Sequence, residues 1–483
     1  MKTIITLLFT ITLSHLMIAQ TTAIPDANFE QALINLGYDA GTPDGTVPTA
    51  GIDTVTSLNV MLSDISDLSG IEDFTALTYL NCGGNLLTSI NVSQNSALTE
   101  LRCNANQLTG LDVTQNMDLT ELWCDGNQLT NLDVTQNENL TTLSSSSNQL
   151  SNLDVTQNLD LHFLRCSSNS LTDLDVTQNA ILDTLFCNLN QLTDLNLTQN
   201  LDLIALSCFQ NQLTGLDVTS NVNLDLLNCR NNQIPSLDVT QNTALTALFC
   251  SLNQLTTLDV SQNTSLVFLD CASNQLTDLD LSQNANLNFL RCSDNSIVGI
   301  VVSQANLLTT LYCEENQLTD LDVSQNSQLT ILHCFSNQLA CLNVQNGNNF
   351  NIFPNGFIAT NNPNLTCIEV DNPSFSAANW PNVDPSVSYS LDCDPCSVGI
   401  NEYNLSPFSF YPNPTSGNIT VDLGEVNQNI NVKLTNSLGQ IISIEQFEST
   451  NQFNIDIDAP SGIYILHIET AKGKYRPMKV LRR

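Results

Sequence analysis

The sequence predicts an all-β repeat solenoid with two short parallel strands in each 21-residue coil, followed by a small β-sandwich domain at the C-terminus. Three observations support this fold class. Twelve of the sixteen cysteines recur at one fixed interval, once per coil, from Cys82 to Cys334, and Ser145 fills the single gap in the series. Apolar and polar residues alternate around each cysteine, which is the pattern of a half-buried strand. After Cys396 the repeat ends and strand-rich sequence begins.

Residues 1–19 are expected to form a signal peptide. Lys2 precedes an apolar run from Ile4 to Leu13, and Ala19 supplies a small residue at the cleavage point, with Ala23 as the alternative. No later stretch reaches the roughly 18 apolar residues that a membrane-spanning helix needs. We therefore expect an exported chain without a membrane span.

The charge balance excludes nucleic acid as a partner. The formal net charge is −36, and four arginines are the only basic residues between residues 20 and 400. Binding to phosphates needs clustered cationic charge, which this chain lacks. An anionic membrane surface is excluded for the same reason.

Each coil consists of two similar halves. The coil that begins at residue 98 reads LTELRCNANQLTGLDVTQNMD, and both halves follow the pattern L-x-x-L-x-(C/V)-x-x-N. Leu101 and Cys103 in the first half, and Leu111 and Val113 in the second, alternate with polar residues, so each half predicts one strand. Asn closes both halves, where its amide is suited to pair the free backbone groups of a turn. Stacking is obligatory, because one coil has too few apolar side chains to offset its ordering entropy.

These residues resemble the nested bacterial leucine-rich repeats of the IRREKO type, whose pattern is L-x-x-L-x-C-x-x-N-x-L-x-x-L-D-L-x-x-N. The resemblance covers residues 77–346, thirteen coils, with Val in place of the last Leu in most of them. It implies an N-terminal cap at residues 24–75, led by a helix at IPDANFEQALINLGYD, and a C-terminal cap at residues 347–396.

The cysteine series is expected to be a column of small buried side chains. A disulfide ladder and a metal column are the alternatives. However, no His or carboxylate occupies this repeat position, the cysteine slot, in any coil, and Ser145 replaces Cys there in one coil. We therefore predict no metal and no cofactor. The remaining cysteines are Cys341, Cys367, Cys393 and Cys396. A disulfide closing the cap is expected from Cys367 to Cys393, with Cys341–Cys367 as the alternative, since spacing does not define connectivity.

We call the first half of each coil the cysteine half and the second the LDV half, after residues such as Leu111, Asp112 and Val113. The outward residue of the LDV half is nearly always aspartate. The column consists of Asp112, Asp133, Asp154, Asp175, Asp217, Asp238, Asp259, Asp280 and Asp322, with Asn196 and Val301 as exceptions. It could be a calcium ladder or a solvated face with partly raised pKa values. The second interpretation is favoured, because a hard cation needs several convergent oxygens rather than one column.

The outward residues of the cysteine half are varied, and they include every arginine of the solenoid and most of its aromatic residues. Exposed arginine and aromatic side chains are typical of binding hot spots. The alternative is that the rings merely pack against one another. The predicted ligand-binding residues are Arg102, Trp123, Phe163, Arg165, Phe186, Phe209, Arg230, Phe249, Phe268, Phe289, Arg291 and Tyr312.

After a linker at residues 397–404, the tail contains YPNPTSG, then SGIYILHI at residues 461–468, and ends in KYRPMKVLRR. In this order the motifs resemble the type A sorting domain of type IX secretion, at residues 405–483. The resemblance implies contact with the type IX machinery, passage to the outer surface of a Gram-negative bacterium, removal of the tail and attachment to surface lipopolysaccharide. An ordinary β-sandwich adhesion module is the alternative.

The sequence thus predicts a secreted or surface-anchored recognition or adhesion protein that binds a protein or glycan. Before the tail, the only histidines of the mature chain are His162 and His333. They lie in separate coils without a paired acid, so an enzyme is not expected. A passive surface-coat protein and an accessory module of an enzyme system are the alternatives.

Overall fold

The computed structural model describes residues 20–393, 409–436, 440–470 and 473–483. The expected signal peptide, the linker at 397–404 and Cys396 lie outside the described residues. The chain divides into two compact units, Met1–Asn316 and Gln317–Arg483, which are described separately.

The first unit opens with a small cap. Strand β1 (Thr21–Ala23) pairs antiparallel with β2 (Thr46–Pro48), and helices α1 (Ala27–Leu36) and α2 (Thr49–Ile52) adjoin them. Helix α1 is capped at its N-terminus by Asp26, whose carboxylate accepts hydrogen bonds from the backbone N–H groups of Asn28 and Phe29 at 2.8 and 3.0 Å. Asp26 also accepts from Ser66, so the cap is tied to the first coils.

One parallel sheet follows the cysteine half of the coils in this unit, and from β4 to β15 each strand pairs in register with the equivalent residues of the neighbouring coil. Its strands in this unit are β3 (Ser57–Asn59), β4 (Tyr79–Asn81), β5 (Glu100–Arg102), β6 (Glu121–Trp123), β7 (Thr142–Ser144), β8 (Phe163–Arg165), β9 (Thr184–Phe186), β10 (Ala205–Ser207), β11 (Leu226–Asn228), β12 (Ala247–Phe249), β13 (Phe268–Asp270), β14 (Phe289–Arg291) and β15 (Thr310–Tyr312). The central Leu of each strand and the residue after the strand point inward, and most of these side chains are fully buried.

The LDV half forms a less regular ladder. Within the described residues of this unit, it contributes only the isolated bridges Asp112↔Asp133 and Leu279↔Ile300. The reason is local, because the aspartate carboxylate accepts the backbone N–H of the residue two positions later, as Asp112 does from Thr114 at 3.0 Å. This turn bends the chain directly after the LDV residues and so limits the length of the strand.

Two columns of buried asparagine hold the coils together. In the cysteine half, Asn106 donates to the carbonyls of Cys82 and Cys103, both at 3.1 Å, and accepts from the N–H of Leu87 at 3.0 Å. In the LDV half, the equivalent residue of each coil donates to two carbonyls of the preceding coil. Each amide therefore pairs backbone groups of neighbouring coils, an arrangement that fits the constant coil length from Cys82 to Cys334.

The second unit contains the end of the repeats and a cap. Strand β17 (Ile331–His333) pairs with β19 (Phe357–Ile358), and β16 (Asp320–Asp322), β18 (Cys341–Asn343), β20 (Cys367–Glu369) and β21 (Ser388–Ser390) form a parallel sheet. Helix α3 (Pro373–Asn379) leads into Trp380, which is buried and stacks on Phe357 with ring centroids 4.2 Å apart. Cys367 and Cys393 form a disulfide with their Cα atoms 5.8 Å apart, and Cys341 packs against them.

The tail is an antiparallel sheet with its own core. Its strands are β22 (Ser409–Tyr411), β23 (Asn418–Asn436), β24 (Ile441–Asp456), β25 (Gly462–Thr470) and β26 (Gly473–Arg482). Inward residues such as Val421, Leu434 and Leu466 are fully buried against one another. The predicted fold class, an all-β repeat solenoid followed by a β domain, is confirmed. The second of the two strands predicted for each coil is wrong for the described coils of the first unit, where the turns made by the aspartates reduce it to isolated bridges. None of the helices in the described part of the chain is long and apolar enough to cross a membrane.

Candidate ligand-binding face

The predicted binding residues lie together on the outer side of the long sheet. We call this side the aromatic face; it consists of the outward side chains of β5 to β15 and the outward residue that follows each cysteine slot. Register pairing places equivalent residues of successive coils side by side, as in Arg102 beside Trp123 and Arg165 beside Phe186. All twelve predicted residues have exposed or half-buried side chains. The most exposed ring is Phe268, at 43%.

Three rings form a first cluster. Trp123 stacks on Phe163 with centroids 6.0 Å apart, and Phe163 meets Phe186 edge-on at 6.1 Å. Trp123 and Phe163 are two coils apart, and they meet because the strand between them carries the small, buried Ser144. The indole N–H of Trp123 also donates to Glu121 at 3.1 Å.

A second cluster lies further along the face. Phe289 contacts Phe268 at 6.4 Å and Tyr312 at 5.9 Å between ring centroids. The structure therefore brings six of the predicted aromatic residues into ring–ring contact. Some surface packing of rings, the alternative considered from the sequence, thus occurs on the same face that carries the arginines, and the rings remain partly open to solvent.

The four arginines differ in their surroundings. Arg102 pairs with Glu100 and with Glu121, the latter at 3.6 Å, and its guanidinium lies 5.5 Å from the centre of the Trp123 ring. Arg165 and Arg230 are exposed, and Arg291 donates to the Ser293 hydroxyl at 3.4 Å. Within the described ranges, these last three arginines have no carboxylate partner, so three of the four remain available to an anion.

Sequence reasoning missed two aspartates on this face. Asp125 accepts from the Ser144 hydroxyl at 2.6 Å and from the backbone N–H of Ser146 at 2.9 Å. Asp270 is buried and accepts from the Ser251 hydroxyl at 2.9 Å. Serines one coil away are the signal that could have identified both. These aspartates are structural, because their oxygens pair neighbouring hydroxyl and N–H groups.

The expectation that His162 has no paired acid is wrong. Its Nδ1 lies 3.5 Å from the carboxylate of Asp183, which occupies the equivalent position of the next coil. The pair lines an open depression beside the aromatic face together with Asp202, Ile204 and neighbouring residues. Because the two residues are separated by one coil length, the repeat pattern could have revealed this contact.

The aspartate column stabilises turns. Asp133 and Asp175 each accept two hydrogen bonds from the threonine two positions later, one from the backbone N–H and one from the hydroxyl. These bonds lower the pKa of both carboxyls, and the repulsion of Asp133 by Asp112 opposes this only weakly. The expected partial rise of the pKa is therefore wrong for Asp112, Asp133, Asp175, Asp217 and Asp238.

Replacing Asp133, Asp154 and Asp175 together by Asn should preserve the melting temperature, whereas the Ala triple variant should melt several degrees lower. Asn196 already makes the same two hydrogen bonds to Thr198, at 3.1 and 2.8 Å, and Ala makes neither. A carboxyl whose pKa is lowered by folding stabilises the fold at pH values above its unfolded pKa of about 3.9. That contribution is lost as the pH falls through the lower, folded pKa.

Melting curves from about pH 7 to about pH 3 test this assignment, and the Asn variant should lose less stability in acid than the native chain. Equal melting of the Asn and Ala variants at neutral pH would contradict the turn-stabilising role. A calcium-dependent rise in melting temperature that disappears in the Asn variant would restore the calcium ladder. No group of three or more metal-ligating side chains is assembled within the described residues.

The cysteine series lies entirely in the core. Its twelve members are reduced and buried. Burial raises the pKa of the Cys82 thiol to about 12, because a thiolate cannot be solvated inside the coil. The thiols are therefore inert side chains that fill space between leucines.

Comparisons with known proteins concern the tail by itself and the chain more widely. Residues 409–481 match the family described as the secretion system C-terminal sorting domain. A search of curated proteins found no significant match.

Solved structures that resemble the chain include leucine-rich-repeat proteins. One is the functional domain of InlJ from Listeria monocytogenes, whose description notes a cysteine ladder; it is 29% identical, with 96% of this chain and 99% of that one covered and a TM-score of 0.68. Another is the leucine-rich-repeat protein LIC12759 of Leptospira interrogans, 25% identical over 75% of this chain and 98% of that one, with a TM-score of 0.57. A third is the internalin inlF of Listeria monocytogenes, 24% identical over 68% and 94%, with a TM-score of 0.54, a likeness of fold alone.

The molecule is therefore a leucine-rich-repeat solenoid with a type IX secretion sorting domain at its C-terminus. The sorting domain directs secretion to the cell surface or the extracellular space and implies contact with the type IX machinery. An internalin-like solenoid on an exported chain suggests a role in interactions outside the cell.

Proposed function

We propose that this exported leucine-rich-repeat protein is a non-enzymatic recognition or adhesion protein that binds a protein or glycan through its aromatic face. One observation carries the proposal: every arginine of the solenoid and both ring clusters lie on the same side of one sheet. Arginine and aromatic side chains supply most of the energy of typical binding interfaces. The opposite side carries the aspartate column, whose carboxylates are engaged in turns.

The face is suited to binding because it combines rigidity with exposure. Its side chains project from a sheet whose inward residues are fully buried, so little backbone entropy is lost when a ligand binds. Most of the rings are half-buried, so they are held in place and still offer one surface to a partner.

Replacing Trp123, Arg165 and Phe186 together by Ser should abolish ligand binding. Trp123 and Phe186 both contact Phe163, and Arg165 lies on the same strand as Phe163, so the variant removes most of the first cluster and its neighbouring cation, groups of the kind that dominate binding energy. The measurement is an array of glycans and extracellular proteins probed with the full chain and with the variant, followed by titration of each hit. The Asn triple variant of Asp133, Asp154 and Asp175 is the matched control and should bind normally.

Melting curves accompany the binding measurement, because Trp123 stacks on Phe163 and bonds to Glu121. Loss of these contacts should cost about 1–3 kcal/mol of stability and leave the fold intact. Unchanged binding by the Ser variant would support a passive coat protein whose rings only pack against one another. Binding lost only in the Asn variant would move the site to the opposite side.

A further inference from the structure

The aromatic face carries a period longer than one coil. Along the sheet, the outward residue before the cysteine slot repeats in groups of three strands: an arginine strand, an aromatic strand, and a strand with a small or acidic residue. The aromatic members recur at every third coil, and they are Trp123, Phe186, Phe249 and Tyr312. Arg102, Arg165 and Arg291 fall on the same period. In the remaining group, Asn228 stands where the other groups have an arginine. Arg230, the outward residue after the cysteine of the same coil, supplies the cation instead.

Other positions follow the same three-coil period. The first residue of the arginine strand is Phe163, Leu226 or Phe289 in three successive groups. After the aromatic strand, Leu189 and Leu252 occupy equivalent positions in two successive groups. The repeating unit of this face is therefore a group of three coils, and each group presents one cation next to one ring.

The sheet converts this period into a regular spacing. Strands pair in register, so the arginine strand and the aromatic strand of each group are direct neighbours. At about 4.8 Å per strand, equivalent positions of successive groups lie about 14 Å apart along the sheet. The face thus offers a row of similar subsites at equal intervals.

The charge distribution leaves the later subsites open to an anion. In the first group, Arg102 is paired with Glu100 and Glu121, whereas Arg165, Arg230 and Arg291 have no carboxylate partner among the described residues. From residue 142 to residue 251, six consecutive strands and the outward residue after each carry no Asp or Glu, although the chain has 48 of them. These six strands span about 24 Å, and Asp183 and Asp225 directly precede two of them, β9 and β11.

We propose that the aromatic face binds a linear polysaccharide bearing carboxylates, which lies along the sheet and places one sugar carboxylate at each open arginine. The proposal deepens the proposed function and rests on it. Each guanidinium accommodates a carboxylate in a two-point hydrogen-bonded contact, and the neighbouring ring packs against the apolar face of a sugar. Several weak subsites on one chain then add by multivalency.

Regularity favours a polysaccharide over a polypeptide. A linear polysaccharide presents identical groups at equal intervals, as this face does, whereas a folded protein or an ordinary peptide does not. Nucleic acid is also a regular polyanion, but its charge density requires clustered cations, and the solenoid has single arginines about 14 Å apart.

Polygalacturonate is the first probe, and its carboxyl-reduced form and poly-L-glutamate are the comparisons. Titration of the full chain at physiological salt should show binding to polygalacturonate, with at least about tenfold weaker binding of the other two. Affinity per chain should rise steeply with polygalacturonate length, since longer chains engage more subsites. Equal or tighter binding of poly-L-glutamate would overturn the choice of a polysaccharide.

The triple variant Arg165→Gln, Arg230→Gln and Arg291→Gln should weaken polygalacturonate binding by at least about tenfold without a change in melting temperature. The control is the triple variant in which Asp133, Asp154 and Asp175 are replaced by Asn. It raises the net charge by as much as the arginine variant lowers it, and its substitutions lie on the opposite side from the aromatic face. It should bind like the native chain; stronger binding by this variant would show that net charge, not the subsites, controls the interaction.

The two proposals fail in different ways. No binding of polygalacturonate, together with an array ligand that the Trp123, Arg165 and Phe186 variant loses, would overturn the polysaccharide and leave the recognition function standing. Polygalacturonate binding that persists in both the arginine variant and the Ser variant would overturn both proposals, because neither set of side chains would then contact a ligand.

Discussion

A chain that ends at about residue 400 is expected to fold and to disappear from the cell surface, accumulating in the periplasm. The tail residues 409–481 match a secretion sorting domain, so their removal deletes the export signal. The core of the tail is made of its own residues, among them Ile419, Val432 and Leu466. The cysteine column and the asparagine columns of the repeats are therefore left whole.

Cell fractionation and surface proteolysis measure this effect, and the melting temperature of the purified truncated chain provides the control for folding. The full chain expressed at the same level is the reference. Normal amounts of the truncated protein on the surface would overturn the sorting role of the tail. Periplasmic degradation with a lowered melting temperature would instead show that the tail supports the solenoid.

Replacing Cys250 by Arg should disrupt the coils around it, whereas Cys250→Ser should fold with a modest loss of stability. The Cys250 side chain is fully buried, and its surroundings raise the thiol pKa well above its usual value, chiefly through desolvation. An arginine there would bury an uncompensated charge, at a cost of several kcal/mol, and neighbouring coils would lose their stacking partner.

Ser145 indicates what the milder substitution costs. It is fully buried in the equivalent slot of another coil, and its hydroxyl has no hydrogen-bond partner among the described residues. A serine at position 250 should therefore cost about 1–3 kcal/mol, from one unpaired hydroxyl. Circular dichroism and thermal melts distinguish the variants, and Cys250→Ala serves as the control for the lost volume. Equal melting of the Ser and Arg variants would mean that the slot is not in the core.

The fold was predictable because the information is local and repeated. Alternation around Leu101 and Cys103 defines a strand, and repetition once per coil places each strand beside its own copy. The role of the asparagines that close each half of a coil was predictable, since a buried amide must pair with the backbone of a turn. The tail was recognisable because its motifs occur in a set order.

The candidate site was predictable only in part. The sequence placed Trp123 and Phe163 on one side of the sheet, but their contact across an intervening strand depends on the small volume of Ser144. The three-coil period was present in the sequence and was obscured by the shorter period of one coil, since every coil is similar enough to its neighbours to seem equivalent.

The sequence by itself determined the coil length, the inward residues, the strand of the cysteine half and the export tail, because each follows from periodicity or from a contiguous motif. Only the tertiary structure decided which groups meet across coils: His162 with Asp183, Arg102 with Glu121, and Cys367 with Cys393. It also decided that the aspartate column stabilises turns, as Asp133 does through Thr135. Such contacts depend on distances and hydrogen-bond geometry between side chains, which a pattern of residue types does not contain.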